Sequence, residues 1–377
     1  MDPHRVLIAG GGVAALEAAL ALRGLGGSEL DVVVLAPNDT FAFPAHQVRE
    51  PFGGPPPLPL PLAEILHGIG RHQSGSVRAV DRSASVVLTA TGDVVPYDSL
   101  ILCVGGTPFP ANVYGITFDR PGSPETFDAL LTDIGDQLVE DVAFVVPDAA
   151  GWALPAYDLA LLLRGWSQRQ RRELRIRIVT PEQSPLECFG LGASQEVARV
   201  LARHDIGVTT SVEPVLVSDT ALLAGGHWSG ADRIVSMPRL AGPRLPGVPT
   251  DWQGFIEVGD DGRVNGSPGV FAVGDGAAHR RKQGGLAAQQ ADLAARALLR
   301  DLGRRIPDPP EPPMLRGVLA TPDGPLFLQG GLGYGKPGGE STASLTPLWD
   351  PPSKVVTRWL GPHLADMVTR RTAAFAA

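Results

Sequence analysis

The residues best suited to chemistry form a glycine-rich run near the N-terminus, GGGVAA at residues 10–15. The run matches the pattern G-x-G-x-x-A and stands between an apolar, strand-type segment and a helix predicted over Val13–Leu25. Gly10 would allow the tight turn, Gly12 would let a pyrophosphate approach the backbone, and Ala15 would keep the helix close to the sheet. Unpaired N–H groups at the start of such a helix attract anions. The run therefore predicts a dinucleotide site rather than an ordinary tight turn.

A second signal lies in the last third of the chain, where the apolar run Val270–Val273 is followed by Gly274 and Asp275. Asp275 would stand at the carboxyl end of a buried strand, close to the crevice that also holds the first glycines. A carboxylate there can accept hydrogen bonds from the polyhydroxyl chain of FAD, a feature that NAD lacks. A turn aspartate is the alternative for this motif alone, but the two motifs together predict non-covalent FAD.

The acid that usually binds the adenosine ribose is missing from its expected position. It should stand at the end of the second strand, predicted over Asp31–Leu35, but the residue there is Ala36. Asn38 or Asp39 in the following loop could take its place. The departure weakens the prediction for the adenosine end of FAD and leaves the pyrophosphate prediction unchanged.

The helix predicted over Gly285–Arg300 begins beside a cation, in the run KQGGLA at residues 282–287. Its first N–H groups and the Lys282 ammonium could face the pyrimidine edge of the flavin, where reduction places negative charge. The alternative is an exposed basic turn over Arg280–Lys282. The glycines and Leu286 are favoured over Lys282 for this contact.

Together with the segment PYDSLILCVG at residues 96–105, these motifs resemble the two-dinucleotide-binding-domain flavoproteins of the FAD-dependent pyridine nucleotide-disulfide oxidoreductase superfamily. Members of the superfamily include sulfide:quinone oxidoreductases, type II NADH dehydrogenases and ferredoxin reductase-like proteins, and the first two groups are the nearest. The resemblance covers roughly Arg5 to Arg300. Cys103–Gly105 stands where Ala-Thr-Gly is usual, so Cys103 is interpreted as a small buried residue.

The resemblance also implies which residues approach the flavin. Residues after the second strand line the ring in the family, which here implies Phe43, Pro44 and Ala45, with simple packing of the loop as the equal alternative. The adenine meets backbone in the segment that matches residues 76–78. The residues expected to contact FAD are Gly10, Gly12, Val13, Ala14, Ala15, Ala36, Asn38, Phe43, Pro44, Val77, Cys103, Val104, Gly105, Gly274, Asp275, Lys282, Gly284, Gly285, Leu286 and Ala287.

The inserted part of the chain keeps the pattern of a second dinucleotide fold but lacks its standard phosphate cradle. Its first strand, Ala143–Val146, is followed by PDAAGW at residues 147–152. Only Gly151 remains of a glycine-rich turn, Pro147 has no N–H, and Trp152 would crowd a pyrophosphate. Either NAD(P)H binds differently here, or another donor supplies the electrons.

Strands and helices alternate twice along the chain, which predicts an α/β fold of two Rossmann-like doubly wound domains and a small C-terminal α+β domain. The expected division is a first FAD-binding part over 1–120, an inserted NAD(P)-binding-like domain over 121–240, a second FAD-binding part over 241–307 and a C-terminal interface domain over 308–377. The hairpin turn at 322–324 and the loop 330–339 are suited to an interface and leave a homodimer open.

The 377 residues carry a net charge of −8, which argues against nucleic acid as a partner. The basic run Arg164–Arg177 is interpreted as a solvated face. No signal peptide or membrane-spanning run is apparent, and we expect a cytoplasmic protein. The segment Lys354–Met367 predicts a helix that closes the core, with a membrane-surface foot as the alternative. Glu17 is expected at the edge of its helix, beside the core.

Two cysteines, Cys103 and Cys188, cannot supply the paired redox centre that sulfide oxidation by the family route requires. Cys188 lies in the inserted part without an evident partner, and whether it is reactive stays open. The low cysteine count fits a reducing compartment. The eight histidines show no metal-ligand spacing, so no metal is expected.

The favoured function is an FAD-dependent oxidoreductase that passes electrons from a small donor, NAD(P)H or another reductant, to an acceptor. A quinone is favoured as the acceptor by resemblance alone. Two alternatives differ in class: a flavin-binding docking or regulatory protein with little turnover, and a biosynthetic flavin dehydrogenase that acts on a small organic substrate.

Overall fold

Two five-stranded parallel sheets dominate the computed structural model, which describes residues 3–118, 124–148, 150–332 and 341–376. The loop predicted over 330–339 lies largely outside the described residues. In both sheets, β-branched and leucine-rich strands alternate with helices, as the sequence pattern requires for parallel pairing. The predicted α/β class with two Rossmann-like sheets is confirmed.

The first part of the chain builds most of one sheet, called the first sheet here. The elements are β1 (His4–Ala9), α1 (Val13–Gly26), β2 (Leu30–Ala36), β3 (Thr40–Phe41), β4 (Leu60–Pro61), α2 (Leu62–Ile65), β5 (Arg71–Ser74), β6 (Val77–Asp81), β7 (Val86–Thr89), β8 (Val94–Pro96) and β9 (Ser99–Leu102). Between the second strand of this sheet, β2, and its fourth, β9, the chain forms short strands and a three-stranded antiparallel meander.

The middle part builds the second sheet and a second small meander. Its elements are β10 (Thr107–Phe109), β11 (Ile116–Thr117), α3 (Pro124–Gly135), β12 (Asp141–Val145), α4 (Leu154–Arg169), β13 (Arg175–Val179), α5 (Leu191–Arg203), β14 (Ile206–Thr209), β15 (Pro214–Leu216), β16 (Ala221–Ala224), β17 (His227–Gly230), β18 (Arg233–Ser236) and β19 (Arg239–Ala241).

The last part returns to the first sheet and ends in a hairpin-based sheet and a helix. Its elements are β20 (Val270–Ala272), α6 (Gly284–Asp301), β21 (Met314–Thr321), β22 (Gly324–Gly331), β23 (Ser341–Ser344) and α7 (Leu360–Ala376). The predicted hairpin is confirmed, because β21 and β22 pair antiparallel across the turn.

The strand order of each sheet fixes where a ligand can bind. The first sheet has the order β20-β9-β1-β2-β5, and the second has the order β11-β18-β12-β13-β14. The order reverses beside β1 in the first sheet and beside β12 in the second. In doubly wound sheets, dinucleotides bind at the carboxyl ends of the strands that flank this reversal. Each sheet therefore has one such crevice.

Each sheet is covered by helices on one face and by an antiparallel meander on the other. Along β1, Val6 and Ile8 pack with α1 and α6, whereas Leu7 and Ala9 pack with β6–β8. The second sheet repeats this arrangement, with α3, α4 and α5 on one face and β15–β16 on the other. This alternation of side chains follows from the period of two along a strand, and the apolar burial on both faces makes each sheet rigid.

The prediction that Glu17 lies at a helix edge is wrong. Its side chain is fully buried, and its carboxylate accepts the backbone N–H groups of Arg358, Trp359 and Leu360 at 2.6, 3.0 and 2.7 Å. Burial raises the pKa of Glu17 to about 7, against the lowering effect of these three hydrogen bonds. Glu17 thus caps the start of α7 from the middle of α1.

Two further expectations about charged and C-terminal segments need correction. The C-terminal helix begins at Leu360 rather than at Lys354, and residues 353–359 form a segment without regular secondary structure, called the strap here. Arg164 is buried instead of solvated, because its guanidinium donates to the carbonyl oxygens of Leu174, His204 and Asp205. Among the helices of the described residues, none combines the length and the hydropathy needed to cross a bilayer.

Candidate functional site

A cavity of 640 Å³ lies at the carboxyl ends of β1, β2, β9 and β20, where the order of the first sheet reverses. This position is the one at which doubly wound sheets bind dinucleotides. The volume falls within the range of about 300–1,000 Å³ that is typical of ligand sites. The predicted residues that line the cavity are Gly10, Gly12, Val13, Ala14, Ala36, Asn38, Val77, Cys103, Val104, Gly105, Gly274, Asp275, Gly284 and Ala287.

The glycine turn opens into this cavity. Gly10 has a φ of +130°, and a Cβ atom there would lie 2.1 Å from the carbonyl oxygen of Cys103, so a side chain cannot be accommodated. Gly12 has an ordinary φ of −89°, and no described atom lies within 4 Å of the place its Cβ would take. In the described part of the chain, no side chain caps the first turn of α1. Its N–H groups are therefore available to an anion.

Asp275 faces the glycine turn from the opposite wall. Gly274 turns the chain with a φ of +76°, and its N–H donates to Gln290 Oε1 at 2.9 Å. Burial raises the pKa of Asp275, and the nearby Lys282 ammonium opposes the rise. Among the described residues, none donates a hydrogen bond to the Asp275 carboxylate. A ligand with hydroxyl groups could supply the missing donors.

Comparison with known proteins gives two curated relatives of similar length and many solved structures. No protein-family model matches the sequence. An NADH dehydrogenase-like protein of Mycobacterium tuberculosis is 28% identical over 305 residues, which is 73% of this chain and 73% of the relative.

Among solved structures, the sulfide:quinone oxidoreductase of the hyperthermophilic bacterium Aquifex aeolicus matches with a TM-score of 0.79 and 17% identity, over 90% of this chain and 87% of that one. A ferredoxin reductase of Rhodopseudomonas palustris matches with a TM-score of 0.63 and 18% identity, over 86% and 82% of the two chains. This chain has the fold of the FAD-dependent pyridine nucleotide-disulfide oxidoreductases. The resemblance predicted from the sequence is confirmed.

Ala15 and Phe43 are expected to contact the cofactor, but neither lines the cavity. Ala15 is fully buried beneath the turn, where it lets α1 pack on the first sheet. Phe43 packs edge-to-face on Phe41, with ring centroids 4.9 Å apart, and it is Phe41 that lines the cavity. Pro44 begins a 3₁₀ helix, Pro44–Phe52, and its side chain lies outside the described part of the structure.

The start of α6 differs from the expectation in its hydrogen bonding. The Leu286 N–H donates to Gln283 Oε1 at 2.8 Å, so this group is already used, and the Leu286 side chain packs in the core beside the second sheet. Gly285 packs against the Gln283 side chain. Gly284 and Ala287 are the residues of this helix that reach the cavity.

Lys282 is buried, so the alternative of an exposed basic turn is wrong at this residue. Its Nζ atom donates to the carbonyl oxygen of Ala277 and lies 3.7 Å from the ring centroid of Phe255. Burial lowers the pKa of Lys282 to about 8, and Asp275 partly opposes this effect. The ammonium therefore stands near Asp275 behind the wall of the cavity.

Sequence reasoning missed several residues that complete the cavity. Gly11 permits close packing on β2, because a Cβ atom there would lie 2.9 Å from the Cβ of Ala36. Val355 reaches the cavity from the strap, about 80 residues beyond Asp275, and no local pattern marks it. The other lining residues outside the prediction are Leu35, Pro37, Thr40, Phe41, Ala42, Gly75 and Val273. Ala45 and Ser76, which the resemblance implied at the ring and at the adenine, also line the cavity.

A second cavity of 340 Å³, called the inter-sheet cavity here, adjoins the first and shares Ala45, Asp275, Gly284 and Val355 with it. Apolar residues make up most of its lining, and they come from α4, from loops that follow strands of both sheets and from β21. Its charged groups include the fully buried Asp158 of α4, which pairs with Lys354 of the strap and accepts the Ala320 N–H at 2.7 Å. The remaining apolar lining includes Val48, Phe118, Trp152, Leu154, Met237 and Leu240.

Neither cysteine is equipped for redox work. Both are free thiols, and burial raises the pKa of each, that of Cys188 to about 12. Thiolate chemistry at neutral pH is therefore suppressed. Within the described residues, no group of three or more His, Cys, Asp and Glu side chains could hold a metal ion.

Proposed function

We propose that the protein is an FAD-dependent oxidoreductase that holds FAD in the 640 Å³ cavity of the first sheet. The observation that carries the proposal is the convergence of three features on one cavity: an open glycine, an uncapped helix start and a half-buried carboxylate that accepts no hydrogen bond from the described residues. The first two suit the pyrophosphate of FAD, and the carboxylate suits its polyol chain. The relatives with this fold include enzymes whose names specify NADH, quinone or ferredoxin chemistry.

The residues fit the cofactor from end to end. Gly12 and the N–H groups of Val13 and Ala14 would hold the pyrophosphate, and the Asp275 carboxylate would accept hydrogen bonds from the polyol chain. Asn38 and Val77 would stand at the adenosine end. Around the ring we place Phe41, Cys103, Val104, Gly105, Gly284, Ala287 and Val355.

When bound, FAD accepts two electrons from a donor and passes them to an acceptor. The residues of the protein would hold the flavin ring, exclude water from it and set the electrostatic potential around it. Val355 is buried and lines the cavity from the strap. The start of α6 and the Lys282 ammonium, which lies near Asp275, would place positive charge towards this end of the cavity. These groups would favour the reduced, more negative form of the cofactor.

The inter-sheet cavity is our choice for the electron-exchanging small molecule, because it shares four lining residues with the FAD cavity and is mostly apolar. We favour a quinone as the acceptor, in line with the name of the Aquifex aeolicus protein.

We also propose the division into FAD-binding parts at 1–120 and 241–307, an inserted domain at 121–240 and a C-terminal domain at 308–377.

The direct test is to purify the protein, release its flavin by heat, and measure the flavin per chain by absorbance. We expect one non-covalent FAD, bleached by dithionite under nitrogen and restored by a soluble quinone. Asp275→Ala should lower the FAD affinity by at least about tenfold, which corresponds to 1.4 kcal/mol. Asp136→Ala, an exposed aspartate far from the cavity, is the matched control.

Two results would count against the proposal. Protein that purifies without flavin and does not take up added FAD would remove the cofactor assignment. A bound flavin that dithionite reduces but that no quinone or other acceptor reoxidises faster than a blank would instead favour a flavin-binding docking protein with little turnover.

A further inference from the structure

The second sheet has its own crevice, and the residues there differ from those of the first sheet. The order of this sheet reverses beside β12, so a dinucleotide would lie over the carboxyl ends of β12 and β18. The chain leaves β12 through Pro147 and Asp148, and it leaves β18 towards Arg239. In a nucleotide-binding sheet, the N–H groups of the turn after β12 would face the pyrophosphate.

A carboxylate already accepts one N–H group of this turn, that of Asp148. Glu213, which precedes β15, accepts the Asp148 N–H with both oxygens, at 3.1 Å from Oε1 and 3.0 Å from Oε2. Arg239 completes the contact, because its Nε donates to the Asp148 carbonyl oxygen at 3.1 Å and its guanidinium lies 3.4 Å from Glu213 Oε1. We call these two side chains the Glu213–Arg239 clamp.

The beginning of α4 is equally unsuited to an anion. Pro155 stands in its first turn and has no N–H, and Trp152 covers the approach by packing edge-to-face on Phe189, with ring centroids 5.7 Å apart. The carboxylate of Asp158 lies fully buried in the second turn. A pyrophosphate at this helix would meet two carboxylates that are already paired, Asp158 with Lys354 and Glu213 with Arg239.

The acid that would bind a ribose in the second crevice is also engaged. Glu182 lies in the loop after β13, two residues beyond Thr180, which occupies the position that corresponds to Ala36 of the first sheet. Its Oε2 accepts the Tyr157 hydroxyl at 2.7 Å and the Thr180 hydroxyl at 3.1 Å. A ribose would have to displace the buried ring of Tyr157 from this carboxylate.

We propose that the Glu213–Arg239 clamp closes the second crevice to nicotinamide dinucleotides, so that the electron donor is a small molecule without a pyrophosphate. The carboxylate stands in for the phosphate oxygen that the turn would otherwise bind. The inference rests on the proposed FAD function, because a donor matters only if a flavin is present. Glu213 would thus determine specificity by excluding nicotinamide dinucleotides from the second crevice.

The test is anaerobic mixing of the FAD-loaded protein with NADH or NADPH, followed by flavin absorbance, with dithionite as the positive control. We expect dithionite to bleach the flavin. With NADH or NADPH at about 1 mM, the upper end of usual KM values, we expect the flavin absorbance to fall no faster than in the buffer blank. Glu213→Ala should free the Asp148 N–H and the Arg239 guanidinium for a phosphate. We expect at least about tenfold tighter NADH binding than in the wild type.

Two further variants make the result interpretable. Glu213→Gln keeps the size and one acceptor oxygen but removes the charge, and it should give a smaller gain in NADH affinity than Glu213→Ala. Glu196→Ala removes another glutamate that pairs with an arginine, Arg199 on α5, and should bind NADH as weakly as the wild type.

Saturable bleaching of the wild type by NADH or NADPH, with half-saturation below about 1 mM, would overturn the proposal while leaving the FAD function intact. Equal NADH affinity in Glu213→Ala and Glu196→Ala would also overturn it, since the clamp would then not be the barrier. Failure of the FAD function itself would show differently, as colourless protein that dithionite does not change.

Discussion

The two crevices of this molecule stand on sheets of the same design and differ in the few residues at the end of one strand. After β1, the chain turns through glycines into an uncapped helix, and a cavity of 640 Å³ opens there. After β12, the turn is held by Glu213 and Arg239, and the following helix has a proline in its first turn. The first crevice offers free N–H groups to an anion, whereas in the second a carboxylate already accepts the Asp148 N–H.

The difference shows that the fold provides a place for a dinucleotide but does not decide whether one binds. Whether a dinucleotide binds depends on the backbone N–H groups that are free and on the sign of the nearest charge. A glycine turn costs conformational freedom and is kept where a ligand needs close approach to the backbone. Once that need is gone, larger side chains can fill the crevice and stabilise the turn instead.

The largest expected effect comes from filling the first crevice. Gly12→Glu should lower the FAD affinity by at least about 100-fold, because the new carboxylate enters the space assigned to the pyrophosphate. The apoprotein should keep its melting temperature, since no described atom lies within 4 Å of the new Cβ. Gly135→Glu is the matched control, because Gly135 is similarly open but ends α3. Equal FAD content in the two variants would contradict the assignment of the first crevice.

The next largest effect is expected on the unfolding free energy, when the buried carboxylate of Asp158 is removed. Asp158→Ala leaves Lys354 without its buried partner and the Ala320 N–H without its acceptor, and breaking such a pair costs about 3–5 kcal/mol of unfolding free energy. Urea denaturation of the apoprotein measures this loss. The double variant Asp158→Leu with Lys354→Met should recover most of it, because no uncompensated charge remains. A single variant as stable as the wild type would show that the strap is not held at this point.

A smaller effect concerns the anchor of the strap below the first crevice. The pKa of Glu17 is raised from 4.5 to about 7, so between these values the folded protein holds a proton that the unfolded chain has released. This contribution to stability is fully present below pH 4.5 and is lost as the pH rises towards 7. In the variant Glu17→Gln the side chain does not titrate. Its amide cannot accept all three N–H groups, and the unsatisfied group should lower the unfolding free energy by about 1–3 kcal/mol.

The measurement is the unfolding free energy of wild type and Glu17→Gln between about pH 5 and 8. We expect the advantage of the wild type to shrink as the pH rises through 7. Glu182, whose pKa burial also raises to about 7, is present in both proteins and cancels in the difference. A difference that stays constant or grows with pH would contradict the role of Glu17.

The smallest expected effect is at the cysteine of the inserted part. Because burial raises the pKa of Cys188 to about 12, almost no thiolate exists at neutral pH. Cys188→Ala should therefore retain quinone reduction within about twofold, and iodoacetamide should modify the native thiol far more slowly than the unfolded one. Rapid alkylation of the native protein, or loss of turnover in the variant, would assign Cys188 a part in the reaction.

The sequence predicted the features that depend on near neighbours in the chain. The turn at Gly10, the strand before Asp275 and the alternation of strands and helices are local patterns, and the predicted fold was confirmed. The clamp could not be predicted, because Glu213 and Asp148 are 65 residues apart and meet only through the order of the second sheet. Val355 and the capping of α7 by Glu17 depend on contacts over still longer separations.

The most direct test of this account is to count the dinucleotides that one chain can hold. Native mass spectrometry of the protein with excess FAD and NADH together reports the bound mass for each chain. We predict one FAD and no NADH on the wild type, and a second dinucleotide only after Glu213→Ala. One FAD together with one NADH on the wild type, or a wild type that binds neither, would contradict it.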